Sequence, residues 1–266
     1  MLLVAVISVP IVSPIGLPVP ISRYTKMAYD AIEAVPQNSL VLFSSVNAGG
    51  NWPDLGIPSV ALTTHLFKRH LKFVFIGFDA GGEAPTVQQT MILPAVDRGL
   101  GRFGAQYGVD YVNLGWVAGL ESGEAAFANN IRSVVTRDFV QGKPIDELPI
   151  MKGVNTGKDF QFVIHVGYAE DPIRQYVTAF KLPLVVATWG MMGPHYPPYV
   201  EAGQMKGLIV GMPGAAEYEL LIGMKGDGLR GSDALSMTHL MVAVFCVLGN
   251  VYYFGVVRRG RKAKEE

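Results

Sequence analysis

Cysteine is almost missing from this chain. One residue, Cys246, stands among 266, which excludes an intrachain disulfide framework and any zinc or iron–sulfur centre built on several cysteines. Charge is scarce as well: Asp, Glu, Lys and Arg make up 17% of the residues, against about 25% in an average soluble domain. The 22 basic and 22 acidic side chains cancel, which argues against a binder held by a phosphate backbone, and nucleic acid is not an expected partner. A hydrophobic fraction of 50% excludes compositional disorder. GxSxG, HExxH and a complete Walker loop are missing too, and no motif implies a cofactor or a metal.

What is present lies first at the ends of the chain. Residues 234–257 form a run of 24 without Asp, Glu, Lys or Arg. Its apolar centre, Met237–Val257, has 21 residues and as a helix spans about 32 Å, enough for a bilayer's hydrocarbon core. Tyr252 and Tyr253 stand near its end, and five cations follow: Arg258, Arg259, Arg261, Lys262 and Lys264. This pattern predicts a transmembrane helix with a cytoplasmic basic tail, which places the main domain outside the cell membrane. Arg23 and Lys26 argue for the opposite orientation with fewer charges. Ser232 and Asp233 read as the cap of the membrane helix. Cys246 lies inside the span.

Residues 1–22 carry no charge and are interrupted by Pro10, Pro14, Pro18 and Pro20. Three readings stay open: a second, shortened membrane helix, an apolar arm against the membrane or the C-terminal helix, or a buried extended segment of the domain.

Between the ends, residues 23–231 alternate short apolar runs with helical patterns. The predicted strands are 40–46, 72–78, 110–116, 160–167, 183–189 and 206–211, mostly continuous apolar runs of the kind covered on both faces. The predicted helices are 24–35, 60–70, 86–107 with a break at Pro94 or Gly99, 125–135, 172–180 capped by Asp171, 196–202 and 215–222. Three strands precede the loop-rich link 136–159 and three follow it. The expected fold is α/β, a doubly wound, mainly parallel sheet of about six strands, Rossmann-like, with a C-terminal transmembrane helix.

The stretches SPIGLPVPISRYTKMAYDAIE (13–33), YGVDYVNLG (107–115), DELPIMKGV (146–154), GAAEYELLIG (214–223) and RGSDALSMTHL (230–240) resemble an uncharacterised prokaryotic family of membrane-anchored α/β proteins. The resemblance implies an anchored globular domain, often with a fuller N-terminal membrane helix than this chain shows. It carries over no activity and no site residues.

Ligands of parallel sheets bind beyond the carboxyl ends of the strands, so the segments there hold the candidates. Gly49–Gly50 and Gly81–Gly82 are candidate ligand-binding pairs, because glycine lets backbone approach a ligand closely. His195, Asp79, Glu121 and Glu170 are the catalytic candidates, imidazole and carboxylates being the usual acid–base groups. Glu83, Glu124 and Asp171 join the same edge, with helix capping as the competing role for each carboxylate. Gly99–Gly104 matches GxGxxG but does not follow a strand directly. His65 and His70 read as surface residues and His165 as a core histidine; His239 and Asn250 belong to the membrane helix, where Asn250 could bond a neighbouring helix.

Two functional readings lead, ahead of a third, a cytoplasmic nucleotide-linked enzyme, which needs the opposite topology and a glycine loop at a helix N-terminus. One is a membrane-anchored scaffold or interaction domain, with the lipid bilayer, further copies of itself or other membrane proteins as partners. The other is an extracytoplasmic enzyme or ligand-binding domain working through the strand-end carboxylates.

Overall fold

The computed structural model describes residues 2–13, 15–99 and 103–254. They divide into two compact units, Val19–Gly228 and the pair of end segments Met1–Pro18 with Leu229–Glu266.

In Val19–Gly228 the six apolar runs become β1 (Leu40–Ser45), β2 (Lys72–Gly77), β3 (Tyr111–Trp116), β4 (Phe162–Val166), β5 (Leu184–Thr188) and β6 (Gly207–Val210). All neighbours pair in parallel, in the order β3-β2-β1-β4-β5-β6. This is the doubly wound Rossmann arrangement, with its switch point between β1 and β4.

The continuous apolar character of the strands follows from burial on both faces. Alternate residues point to opposite sides. Val41, Phe43, Phe73, Phe75, Ile164 and Val185 face one layer of helices; Leu42, Val74, Ile76, Val112, Val163 and Val186 face the other. The first layer holds the helices Arg23–Glu33, Ile57–Lys68, Leu93–Gly99 and Gly211–Leu221, and the second holds Glu121–Asn129, Ile131–Val134 and Pro197–Glu201. Arg23–Glu33 crosses β6 so closely that a Cβ on Gly207 would lie 2.1 Å from the Ala28 nitrogen, so only glycine permits this crossing.

Several sequence expectations need correction. The helix expected over 86–107 runs as Ala84–Val87, a π-turn at Gln88–Ile92 and Leu93–Gly99. Pro94 does not break it: the helical run continues through it, directly after the π-turn. The segment 125–135 starts earlier, at Glu121, and bends at Asn130, whose φ of −157° is extended. The segment 215–222 begins at Gly211.

His65 is 1% exposed, not a surface residue. Its Nδ1 lies 2.6 Å from the Tyr218 hydroxyl and its Nε2 2.9 Å from Glu33, tying three helices of one layer together. Burial lowers its pKa more than Glu33 raises it. His165, as expected, is a core histidine, with Nδ1 2.8 Å from Ser44 Oγ on the adjacent strand.

In the other unit, Leu2–Val12 is helical, and so is 229–252, the larger part of a 26-residue helix, Asp227–Tyr252. The latter is long and apolar enough to cross a membrane: its most apolar 18-residue window has mean hydropathy 1.8 and is 6% buried. It is the one such helix among the described residues. It starts ten residues before the apolar centre, so Ser232–Asp233 is not its cap. Instead the buried Asp233 carboxylate accepts from the backbone N–H groups of Gly16 (2.9 Å) and Leu17 (3.1 Å). The Asn250 amide donates to Cys246 O of its own helix at 2.8 Å. Residues 255–257 and the basic tail 258–266 lie outside the described residues.

Candidate functional site at the carboxyl edge of the sheet

Parallel strands bring the ends of β1, β2 and β3 and those of β4, β5 and β6 to one edge, so residues distant in sequence meet there. Asp79 follows β2. Its carboxylate accepts from the N–H groups of Glu83 (2.7 Å) and Ala84 (3.2 Å), which is a capping role. Glu83 reaches back across the edge and accepts from Gly49 N–H at 3.1 Å. A carboxylate of the protein itself thus takes the position where a glycine loop would receive an anion.

The two glycine pairs differ. A Cβ on Gly49 or Gly50 would meet nothing within 4 Å, so close approach of a ligand to these two depends on no missing side chain of theirs. Gly82 has φ +72°, and a Cβ there would lie 3.2 Å from the Trp116 ring; it makes room for the indole, whose Nε1 donates to Asp79 O at 2.6 Å. Gly81 lies over the Asp79 and Glu83 carboxylates, with a Cβ distance of 3.7 Å to each.

On the other half of the edge, Glu170 and His195 come together. His195 Nε2 lies 3.3 Å from Glu170 Oε1, and the Tyr196 hydroxyl donates to Glu170 Oε2 at 2.8 Å. Ala169 N–H donates in turn to that hydroxyl at 3.2 Å. Burial first, then the Glu170 charge, push the Tyr196 phenol well above its usual range. Half of the His195 side chain is open to solvent.

Glu121 is joined to this group indirectly. It pairs with Arg174 at 2.6 Å, and Arg174 pairs with Asp171, also at 2.6 Å. Asp79 does not join Glu121, Glu170 or His195; its carboxylate bonds belong to the β2 loop. Asp171 lies within a turn of helix and pairs with Arg174 instead of capping.

Glu124 departs furthest from the capping expectation. It is 2% exposed and its Oε1 has no hydrogen-bond partner. Burial, then Asp171 and Glu121, hold its carboxyl well above the usual range. The Tyr176 hydroxyl, fully buried, is likewise without a partner and feels the Glu124 charge.

One feature of the edge escaped the sequence reading. All three tryptophans of the chain, Trp52, Trp116 and Trp189, lie at the carboxyl ends of strands: Trp116 closes β3, Trp189 follows β5, and Trp52 opens the helix after β1. Tyr168, after β4, packs on Trp189 with ring centroids 4.6 Å apart and planes tilted 41°. Trp116, Leu120, Tyr168 and Met191 are exposed along this edge. The signal was legible: every tryptophan stands at, or soon after, the end of an apolar run, whereas the core aromatics are Phe and Tyr inside runs and helices.

The edge therefore offers a His–Glu pair, an aromatic pair and glycine loops. GxGxxG is not part of it. Gly99 ends a helix, Phe103 and Gly104 follow with φ +51° and +77°, and residues 100–102 lie outside the described residues. No group of three or more metal-ligating side chains occurs among the described residues. No family model matches the chain, and no curated protein matches it in sequence.

Proposed function

We propose that this chain is a membrane-anchored α/β interaction domain, self-assembling or docking other membrane proteins, whose carboxyl edge is its recognition surface. The observation that carries this reading is how that edge is used. Asp79, Glu83, Glu121 and Asp171 are engaged in bonds that stitch loops to one another, while Trp116, Leu120, Tyr168 and Met191 are exposed beside them. Exposed apolar groups gathered on one edge mark a binding surface. The five cations after the apolar helix support a cytoplasmic tail and an extracytoplasmic domain.

A second reading, an extracytoplasmic ligand-binding domain or enzyme, is favoured by one contact, Glu170 with His195. A carboxylate that orients a solvent-facing imidazole is a general-base arrangement.

Topology and assembly test the first reading. With Cys246→Ser as background, Lys143→Cys and Ala263→Cys are labelled on intact cells with a membrane-impermeant thiol reagent. Labelling at 143 alone supports an external domain; labelling at 263 alone reverses the orientation and ends the extracytoplasmic part. Light scattering of the full chain in mild detergent then reads the assembly. Oligomers that dissociate on Trp116→Ala with Met191→Ala support self-association through this edge. A strict monomer ends that part of the proposal.

A further inference from the structure

We propose that a cavity at the amino edge of the sheet binds a neutral polyol of about monosaccharide size. The loops that enter β1, β2 and β3 line a space of about 250 Å³ there. This is the edge opposite the strand-end loops, so the inference goes beyond both functional readings and depends on neither. Pockets for drug-sized ligands hold about 300–1,000 Å³, so this one fits a smaller molecule. Gln37 and Asn38 before β1, His70 before β2 and Asp110 before β3 form its polar wall. Its apolar part includes the buried Phe67 and the exposed Phe103.

The backbone supplies the second observation. Five non-glycine residues among those described have positive φ, and three of them line this cavity: Asn38 (+63°), His70 (+52°) and Phe103 (+51°). Left-handed backbone strains a side chain where glycine is free of the clash. His70 shows this best. It follows the helix Ile57–Lys68, where its own N–H donates to Phe67 O at 3.0 Å and Leu71 N–H donates to Leu66 O at 2.9 Å. Glycine is the usual residue at such a helix stop. The His70 ring makes no hydrogen bond or ion pair with any described residue that would offset the strain, and the same holds for the Gln37 and Asn38 carboxamides. Asn38 N–H donates to His70 O at 3.0 Å, so the two strained residues are held side by side. Strained residues whose side chains line a cavity, and bond nothing in the protein, mark a ligand site.

The chemistry of the wall selects the ligand class. No Lys or Arg lines the cavity, so an anion would meet the Asp110 carboxylate without a counter-charge. Asp110 Oδ2 accepts from Gln106 N–H at 2.9 Å, which leaves Oδ1 as an acceptor. The two carboxamides donate and accept, and the imidazole does either. A hydroxyl donates one hydrogen bond and accepts two, so a set of hydroxyls matches this mixed wall. A flat heterocycle would need ring faces to cover its own. Phe67 does not offer one: it is 3% exposed and packs on Phe73 and Tyr111, with ring centroids 5.3 and 5.4 Å away. Phe103 alone is left, which suits the single apolar C–H face of a sugar ring.

The test uses the full chain in an amine-oxide detergent, which carries no sugar head group. NMR and calorimetry follow titrations with D-glucose, D-galactose and N-acetyl-D-glucosamine, with uracil as the flat heterocycle and inorganic phosphate as the anion. The expected result is saturable binding of at least one sugar and none of uracil or phosphate. The His70 imidazole resonances, identified by their loss in His70→Gly, should shift during the sugar titration. His70→Gly removes the ring and eases the left-handed turn. It should weaken sugar binding about tenfold or more, with a melting temperature equal to or above the parent's. Asp110→Asn, which keeps the shape of the wall, should weaken binding as well. No saturable binding of any sugar overturns the proposal, as does sugar binding that both variants leave unchanged. A fall in melting temperature in His70→Gly overturns the strain argument on which the site rests. Uracil or phosphate bound in place of the sugars, and lost in His70→Gly, overturns the polyol while leaving a ligand cavity. Each outcome concerns the amino edge, so failure here is distinct from failure of the readings of the carboxyl edge.

Discussion

Replacing Glu124 by Gln should make the protein's stability less sensitive to pH, with a sign fixed by where this carboxyl lies. Glu124 is enclosed in the second helical layer, Oε1 lacks a partner, and Asp171 and Glu121 add negative field. Arg174 opposes them, but it is already shared by those two carboxylates. The folded carboxyl therefore holds its proton well above the usual value of 4.5. Between that value and the folded pKa, the folded state binds a proton that the unfolded chain has released. The stability this group contributes is complete at low pH. It falls as pH rises through the window, by up to about 1.4 kcal/mol per pH unit. Gln has no proton to release. The stability difference, variant minus parent, should then grow as pH rises from 5 toward 7. Unmet hydrogen bonds of the buried amide add an offset of about 1–3 kcal/mol, equal at both pH values, so the slope alone decides. Urea unfolding of the full chain in mild detergent, followed by circular dichroism at the two pH values, measures it. A difference that stays constant with pH, or shrinks as pH rises, would refute the reasoning.

Four further outcomes are expected. Burial depresses His165 to about 3, so its imidazole resonances should not titrate between about pH 8 and pH 5 by NMR; stability held by keeping it neutral is present above about 6.5 and is lost as pH falls toward 3. The Asp138 carboxylate accepts from the N–H groups of Val140, Gln141 and Lys143 and from the Tyr107 hydroxyl, all within 3.0 Å; although burial opposes it, these donors hold its pKa low, and Asp138→Ala should cost about 3 kcal/mol in urea unfolding at neutral pH. Gly207→Ala drives a methyl into the Ala28 backbone and should lower stability by about 3 kcal/mol or more, read as a fall in melting temperature. Asp233→Ala should speed hydrogen exchange at the Gly16 and Leu17 amides while amides of the sheet keep their protection, because these two bonds join residues more than 200 positions apart.

Strand positions were legible because burial on both faces leaves an unbroken apolar run. All six predicted strands appear with ends shifted by at most two residues. Helix ends were harder to read. Pro94 looked like a breaker, yet the helical run continues through it, with a π-turn directly before it. His65 read as a surface residue, because His65 and His70, five apart, share no ligand face; only packing reveals that its two ring nitrogens are hydrogen-bonded to Tyr218 and Glu33. Of the site, Glu170 and His195 could be placed at one edge from strand ends alone, but not at 3.3 Å from each other.

By itself the sequence determined the α/β class, the six strands and the apolar helix that can cross a membrane, because hydrophobic period and length are local properties. It also determined that the strand-end loops carry carboxylates and no cations. Tertiary structure alone decided the strand order β3-β2-β1-β4-β5-β6, the capture of Asp79 and Glu83 in loop bonds, the cavity at the amino edge and the enclosure of Glu124. Each of these depends on which distant segments become neighbours, and a carboxylate's partner, solvent and proton affinity are set by those neighbours rather than by its own place in the chain.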